Sequence, residues 1–291
     1  MKTAANEFYA ALDVGGTFIK YALVSSDMEI ITPVKAEAVP SLENADKIMA
    51  AFYHVTEKLT QAAIGKDGVI TQVCVAICGP MDYEHGIFQM NEDKYTAVYG
   101  VDLKQQLREF LGNNKLSVST HHDVRAFLLG NSVIEPALRK GKVMAITLGT
   151  GIGSAFMKNG RILQPGDGIP EKGLGRQPYG TGKVEDVIGA EALRRMYPGA
   201  GFTVKELEAM ARNGDEAALA VFRKLGLVLG ESASAFVELF HPDIIILGGQ
   251  ISRAAKLIMP EFRRYIDIEV RCVPDMERAA MLGAVAAGVI F

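Results

Sequence analysis

Apolar and polar positions along the chain alternate in a way that predicts strands and helices in a repeating order. Residues 8–14 and 18–24 are apolar, β-rich runs separated by Gly15-Gly16, which predicts a hairpin. Residues 30–39 predict a third strand. Ser41 then opens a helix in which Ile48, Phe52, Val55 and Leu59 recur every three or four positions, with Gly65 as its stop. Residues 69–78 are β-branched and apolar, as a central strand requires, and Gly79-Pro80 ends them. A short helix over 102–111, a strand over 116–119 and a helix from about 124 follow.

The opening pattern then returns. Residues 144–148 predict a strand, 149–153 a glycine turn, and 155–163 a strand pair around Asn159-Gly160. Ala11-Leu12-Asp13-Val14-Gly15 is matched 134 residues later by Ala145-Ile146-Thr147-Leu148-Gly149, which suggests a duplicated architecture with a cleft between the halves. Residues 166–183 are rich in Gly and Pro and lack a period, so they read as a long loop. Helices are expected at about 185–196, 203–213 and 215–240, the last with Gly226, Gly230 and Ser234 stacked to admit another backbone. A buried strand over 243–247, the Gly248-Gly249 break, a helix over 252–265 and a small-residue helix over 279–290 complete the chain. Strands alternating with helices in both halves make the fold α/β. The expected lobes are 1–120, joined by the C-terminal helix at about 277–291, and 121–276.

Composition narrows the class. Of 291 residues 49% are hydrophobic and 22% charged, which supports a large core and excludes intrinsic disorder. The formal net charge of -3 argues against a nucleic-acid partner, which would call for a clustered basic excess. The longest uncharged stretch, 279–291, is too short to span a bilayer, and Glu7 and Asp13 interrupt any secretory signal. Cys74, Cys78 and Cys272 make neither a disulfide framework nor a four-ligand zinc site. A soluble, cytoplasmic protein without membrane or nucleic-acid partners is expected.

The 30 glycines are unevenly placed, and their clusters are the candidate chemistry. Asp13-Val14-Gly15-Gly16-Thr17, with Lys20 beyond, offers main-chain amides and a hydroxyl to an anion, and Asp13 could hold Mg²⁺ through water. Gly149-Thr150-Gly151-Ile152-Gly153 offers a second such turn, and Gly248-Gly249 leaves room for a flat ligand. Each cluster alone also reads as an ordinary turn or a close backbone contact, and no Walker A loop is present. Two hairpins on facing lobes would pinch a polyphosphate from both sides.

These segments, with His241-Pro242-Asp243 leading to Leu247-Gly248-Gly249-Gln250-Ile251-Ser252, resemble the three nucleotide-binding segments of the ROK family (repressor, open reading frame, kinase) within the actin-like ATPase superfamily. The resemblance covers the whole chain. It implies two ribonuclease-H-like lobes around a central cleft, ATP and Mg²⁺ as cofactors, a sugar substrate whose hydroxyl is phosphorylated, and a homodimer. Repressor members carry an added N-terminal helix-turn-helix region. The first strand here begins near residue 8, which favours the kinase branch. ATP contacts are expected from Asp13, Gly15, Gly16, Thr17, Lys20, Thr147, Gly149, Thr150, Gly151, Gly248 and Gly249.

The family's general base falls on Asp123, within His121-His122-Asp123-Val124-Arg125. It would take the sugar hydroxyl proton as that oxygen attacks the γ-phosphate. The alternative for Asp123 is a helix cap. The sugar side departs from the family: His122 and Arg125 replace asparagines, and Lys172-Gly173-Leu174-Gly175-Arg176 lacks the family's Glu and His, with Glu171 close by. The cysteine-rich zinc segment is replaced by residues 178–185, so no zinc site is expected. His122, Arg125, Glu171 and Arg176 are the candidate sugar contacts. The cations among them suit an acidic or phosphorylated sugar. Alternatively they face outward or pair with Glu171, Asp167 or Glu185. A non-catalytic regulatory binder and a sugar-independent ATPase are the rival functions.

Overall fold

The computed structural model describes residues 5–273 and 275–289. The chain begins with β1 (Asn6–Val14), β2 (Phe18–Ser25), β3 (Lys35–Ala38), α1 (Ala45–Ile64) and β4 (Gly68–Ile77). A short hairpin, β5 (Met81–Asp82) and β6 (Ile87–Phe88), precedes α2 (Leu103–Phe110), β7 (Ser117–His122) and α3 (Asp123–Ile134). Next come β8 (Lys142–Leu148), β9 (Ile152–Lys158), β10 (Arg161–Ile162), β11 (Pro178–Tyr179), β12 (Gly182–Lys183), α4 (Val184–Ile188) and α5 (Ala190–Met196). The chain closes with α6 (Val204–Arg212), α7 (Glu216–Phe240), β13 (Ile244–Gly248), α8 (Ala255–Phe262), β14 (Glu269–Cys272) and α9 (Met276–Val289).

Two compact units result. One holds the residues up to Ile134 together with those from Glu277 on, and the other holds Glu135–Met276. The first sheet has the order β3-β2-β1-β4-β7, and the second β10-β9-β8-β13-β14. In each, the first three strands are antiparallel neighbours and the last three run parallel. The two sheets therefore match strand for strand, with β1 equivalent to β8 and β4 to β13. This bears out the α/β fold with two ribonuclease-H-like lobes.

In the first unit, α1 buries Ile48, Phe52, Val55 and Leu59 against Leu12, Ile19 and Leu23. Asn44 caps it by accepting from the Lys47 amide. The other sheet face carries small residues, Ala11, Ala22, Cys74 and Ala76, and meets Ala126 of α3 and Met281, Ala284 and Val285 of α9. The two helices touch backbone to backbone. A Cβ on Gly130 would lie 1.8 Å from the Ala279 carbonyl oxygen, and one on Gly283 1.9 Å from that of Ala126. In the second unit α7 and α8 cover β8 and β13 with Phe222, Leu225, Leu229 and Ile258.

Several expectations need correction. The division falls after Ile134 rather than at 120, because β7 pairs with β4 and α3 packs on α9. The strand expected over 30–39 shrinks to β3, with Ile30 making only a bridge to Val24. Ser41 does not open α1; its hydroxyl is committed to the Gly16 carbonyl. The helix expected at 185–196 divides at Gly189, whose extended backbone ends α4 and starts α5. Residues 252–265 begin as a 3₁₀ turn, Gln250–Ala254, before α8. The supposed loop 166–183 contains a 3₁₀ turn and the β11–β12 ladder. Strands β5, β6 and β14 were not expected. The predicted helix end at 290 lies outside the described residues. Among those described, no helix is long and apolar enough to cross a membrane.

Candidate functional site

Register places the candidate chemistry of the first unit at the carboxyl ends of its parallel strands. Val14 of β1 is level with Ile77 of β4, which is level with His122 of β7. The chain leaving each strand there carries Gly15-Gly16-Thr17, Cys78-Gly79 and Asp123. Such strand ends are the usual ligand positions of open α/β sheets.

The glycine turn is held from behind. The Gly15 amide donates to the Phe18 carbonyl at 3.0 Å. Buried Tyr95 donates its hydroxyl to the Gly15 carbonyl, and Ser41 donates its own to the Gly16 carbonyl, both at 2.5 Å. With these carbonyls engaged, the Gly16 and Thr17 amides have no acceptor among the described residues. Two adjacent unengaged amides form a concavity suited to an anion.

Asp13 lies one residue before the end of β1, opposite Lys20. Burial pushes its carboxyl up to about 6, and the Asp123 carboxylate pushes the same way. Lys20 opposes them, and Glu277 adds to the rise. Lys20 lies 3.5 Å from Glu277, so its charge is shared. Asp123 opens α3 directly after β7. Its Oδ1 accepts from the Val124 amide at 2.8 Å and sits 3.3 Å from His122 Nδ1. Oδ1 thus serves the helix start, while Oδ2 has no partner among the described residues. The His122 ring meets Tyr83 edge-on at 5.7 Å, and the Tyr83 hydroxyl donates to the Ile77 carbonyl. Burial lowers the pKa of half-buried Arg125, and Tyr83 pulls it back up. His121 is half-buried: burial takes it down to about 4, and its Nε2 has no hydrogen-bond partner among the described residues.

The second unit repeats the turn with different chemistry. Thr147 stands where the first unit has Asp13. The Gly149 amide donates to the Gly151 carbonyl, and the Gly149 carbonyl accepts from Ala190 at the start of α5. The Thr150 and Gly151 amides have no acceptor among the described residues. Gly248 is level with Thr147 in the sheet, so β13 brings Gly248-Gly249 beside this turn. Gly249 has φ +83°, and a Cβ there would lie 2.2 Å from the Leu148 carbonyl oxygen, so close backbone contact already demands glycine.

The four candidate sugar contacts divide between the units, His122 and Arg125 in the first, Glu171 and Arg176 in the second. Glu171 and Arg176 are exposed, and Arg176 closes a 3₁₀ turn fixed on β9 by the Leu174 amide donating to Ser154. Asp167 pairs with Arg161 and Glu185 with Lys183, so neither neutralises Arg176.

Three residues of the first unit lay outside every sequence motif: Ser41 and Tyr95, which brace the turn, and Lys94, whose side chain crosses Gly16. Nothing in the local pattern marks Tyr95 or Lys94, because their partners are about 80 residues earlier.

Among the described residues no three His, Cys, Asp or Glu converge as a metal site. Asp13 and Asp123 nevertheless suit Mg²⁺, which takes one or two carboxylates and fills its shell with phosphate and water. Burial is the larger cause of the rise at Asp13 and the Asp123 charge the next, and a bound cation would offset both.

Two sheets of this strand order, each with a glycine hairpin between its first two strands, give the protein the actin-like ATPase fold. Residues 9–281 match the ROK family model, and the chain belongs to the ROK family. It is 27% identical over 310 residues to a glucokinase of Thermotoga maritima, covering 94% of each chain. A ROK family glucokinase of Streptomyces griseus, solved with glucose and AMPPNP, superposes with TM-score 0.78 at 20% identity over 98% of this chain and all of that one. The DNA-binding transcriptional repressor Mlc of Escherichia coli is 23% identical over 212 residues, 66% of this chain and 51% of its own.

Proposed function

We propose that the protein is an ATP-dependent kinase that phosphorylates a hydroxyl of a sugar or sugar derivative. The observation that supports this most directly is the first-unit edge, where two unengaged amides, Asp13 and Asp123 share one end of the sheet. Similarity to glucokinases, one solved with a nucleotide analogue, points the same way.

In this reading Gly15, Gly16, Thr17 and Lys20 of the first unit bind phosphate. Thr147, Gly149, Thr150 and Gly151 do the same from the second, with Gly248 and Gly249 toward the nucleoside. Asp13 holds Mg²⁺, which when bound neutralises phosphate charge. Asp123 Oδ2 takes the proton from the sugar hydroxyl as its oxygen forms a bond to the γ-phosphorus. The bond from that phosphorus to the bridging oxygen breaks, and ADP leaves with the electron pair. The hydrogen bond from the Val124 amide to Oδ1, with the His122 ring beside it, keeps the carboxylate oriented for this transfer. His122, Arg125, Glu171 and Arg176 contact the sugar.

The test is ADP release from Mg-ATP across neutral hexoses, N-acetylated sugars, sugar acids and sugar phosphates. Sugar-dependent release is the expected result. Tight sugar or ATP binding without release assigns a regulatory binder instead, and release independent of sugar assigns an ATPase.

A further inference from the structure

Lys94 is half-buried in the first unit, and its placement does not fit an ordinary surface lysine. Its side chain lies across the glycine turn: a Cβ built on Gly16 would stand 2.9 Å from Lys94 Cδ and 3.5 Å from Nζ. The ammonium thus sits over the turn whose Gly16 and Thr17 amides lack acceptors.

Its other neighbour is Cys78, at the carboxyl end of β4. Burial pushes this thiol up to about 11, the Lys94 ammonium draws it back down, and Asp123 raises it further. Cys78 follows Ile77, which is level with Val14 and His122, so the thiol that feels the Lys94 ammonium leaves the strand that lies between the glycine turn's strand and the one that ends at Asp123. Among the described residues no carboxylate comes within ion-pair distance of Lys94, although Lys20, Lys47, Lys58 and Lys183 each have one. A partly desolvated cation without a counter-charge favours an anionic ligand.

The segment holding it is fixed. Asp93 and Tyr95 on either side adopt φ of +64° and +61°, left-handed values that non-glycine residues seldom take. Tyr95 is buried, its amide donates to the Ser41 carbonyl, and its hydroxyl braces Gly15. The braces that shape the turn also anchor Lys94 above it.

We propose that Lys94 is a catalytic residue that binds the phosphoryl group in transfer, between the glycine turn and Asp123. This rests on the kinase reading above. As the sugar oxygen–phosphorus bond forms and the bond to ADP breaks, negative charge spreads over the phosphoryl oxygens, and the Lys94 ammonium donates hydrogen bonds to them. It keeps its proton throughout; the hydroxyl proton goes to Asp123.

The test compares wild type, Lys94→Met and Lys94→Arg in two assays. One measures kcat for sugar-dependent ADP release. The other measures the preference for a non-hydrolysable ATP analogue over ADP by calorimetry, which isolates the contact to the terminal phosphate without turnover. Lys94→Met is expected to lower kcat about 100-fold or more while sugar KM stays near wild type. It should also erase a triphosphate preference of about 10-fold, which Lys94→Arg keeps. Unchanged triphosphate preference in Lys94→Met overturns the proposal, whatever happens to kcat, as does a wild type with no such preference. If wild type turns over no sugar, the kinase reading fails. The binding comparison still decides whether Lys94 contacts the terminal phosphate.

Discussion

The two units carry the same sheet and the same glycine hairpin, but the charged groups gathered at each differ. In the first, Asp13, Asp123, Lys20 and Lys94 crowd the turn, and Asp13 is lifted to about 6. In the second, neutral Thr147 replaces Asp13, the Glu185 carboxylate, paired with Lys183, lies beside Gly151, and the turn is backed by the α4–α5 junction through Ala190 and Gly189. The hairpin recurs in both units, each with two adjacent amides that have no acceptor among the described residues. The acid borne on the strand itself, Asp13, has no counterpart in the second unit, where Thr147 takes the place and the nearest acid is Glu185 of α4. In the proposed function the first unit supplies the chemistry and the second holds the nucleotide.

The comparison breaks most readily at Asp123. Asn there keeps the size and the hydrogen bond to Val124 but cannot take a proton. Asp123→Asn is expected to lower kcat by about 1,000-fold with ATP affinity unchanged, read by initial rates and calorimetry. A fall of less than 10-fold would remove the first unit's claim to the base.

Packing offers the next test. Gly283→Ala drives a Cβ into the Ala126 carbonyl, where neither helix backbone yields easily. It should cost about 3 kcal/mol and depress the first unit's melting transition by several degrees. Scanning calorimetry should show the second unit's transition moving less.

A smaller effect concerns Asp13 itself. Its folded pKa lies above the ordinary 3.8, so the native state binds more protons than the unfolded chain between about pH 4 and 6. Stability is therefore lost as pH rises through that window, and the cost is fully felt above it. Asp13→Asn should raise the Tm of the ligand-free protein by a few degrees at pH 8 and by almost nothing at pH 4. Thr147→Ala should show no such pH dependence.

Much of this was legible in the sequence. Alternating apolar runs broken by glycine pairs revealed both hairpins, and the match of Asp13 with Thr147 anticipated the equivalence of β1 and β8. The edge strand β14 was missed because Glu269–Cys272 is short and partly exposed, with no apolar run to mark it. The unit boundary was misplaced because α3 joins the first unit through contacts with β4, β7 and, far along the chain, α9, which no local pattern marks. Asp123 stood out through its motif. Lys94, Tyr95 and Ser41 did not, since each acts on Gly15 or Gly16 across a distance that no local pattern encodes. The sugar side stays open because Arg125 and Arg176 depart from the family motif and lie in different units.

The asymmetry between the hairpins is tested most directly by making the first resemble the second. Steady-state rates of sugar-dependent ADP release should be measured for Asp13→Thr beside Thr147→Ala. The account predicts that Asp13→Thr lowers kcat about 100-fold or more, while Thr147→Ala shifts the KM for ATP by about 10-fold and leaves kcat near wild type. Equal losses of kcat in the two variants would contradict it.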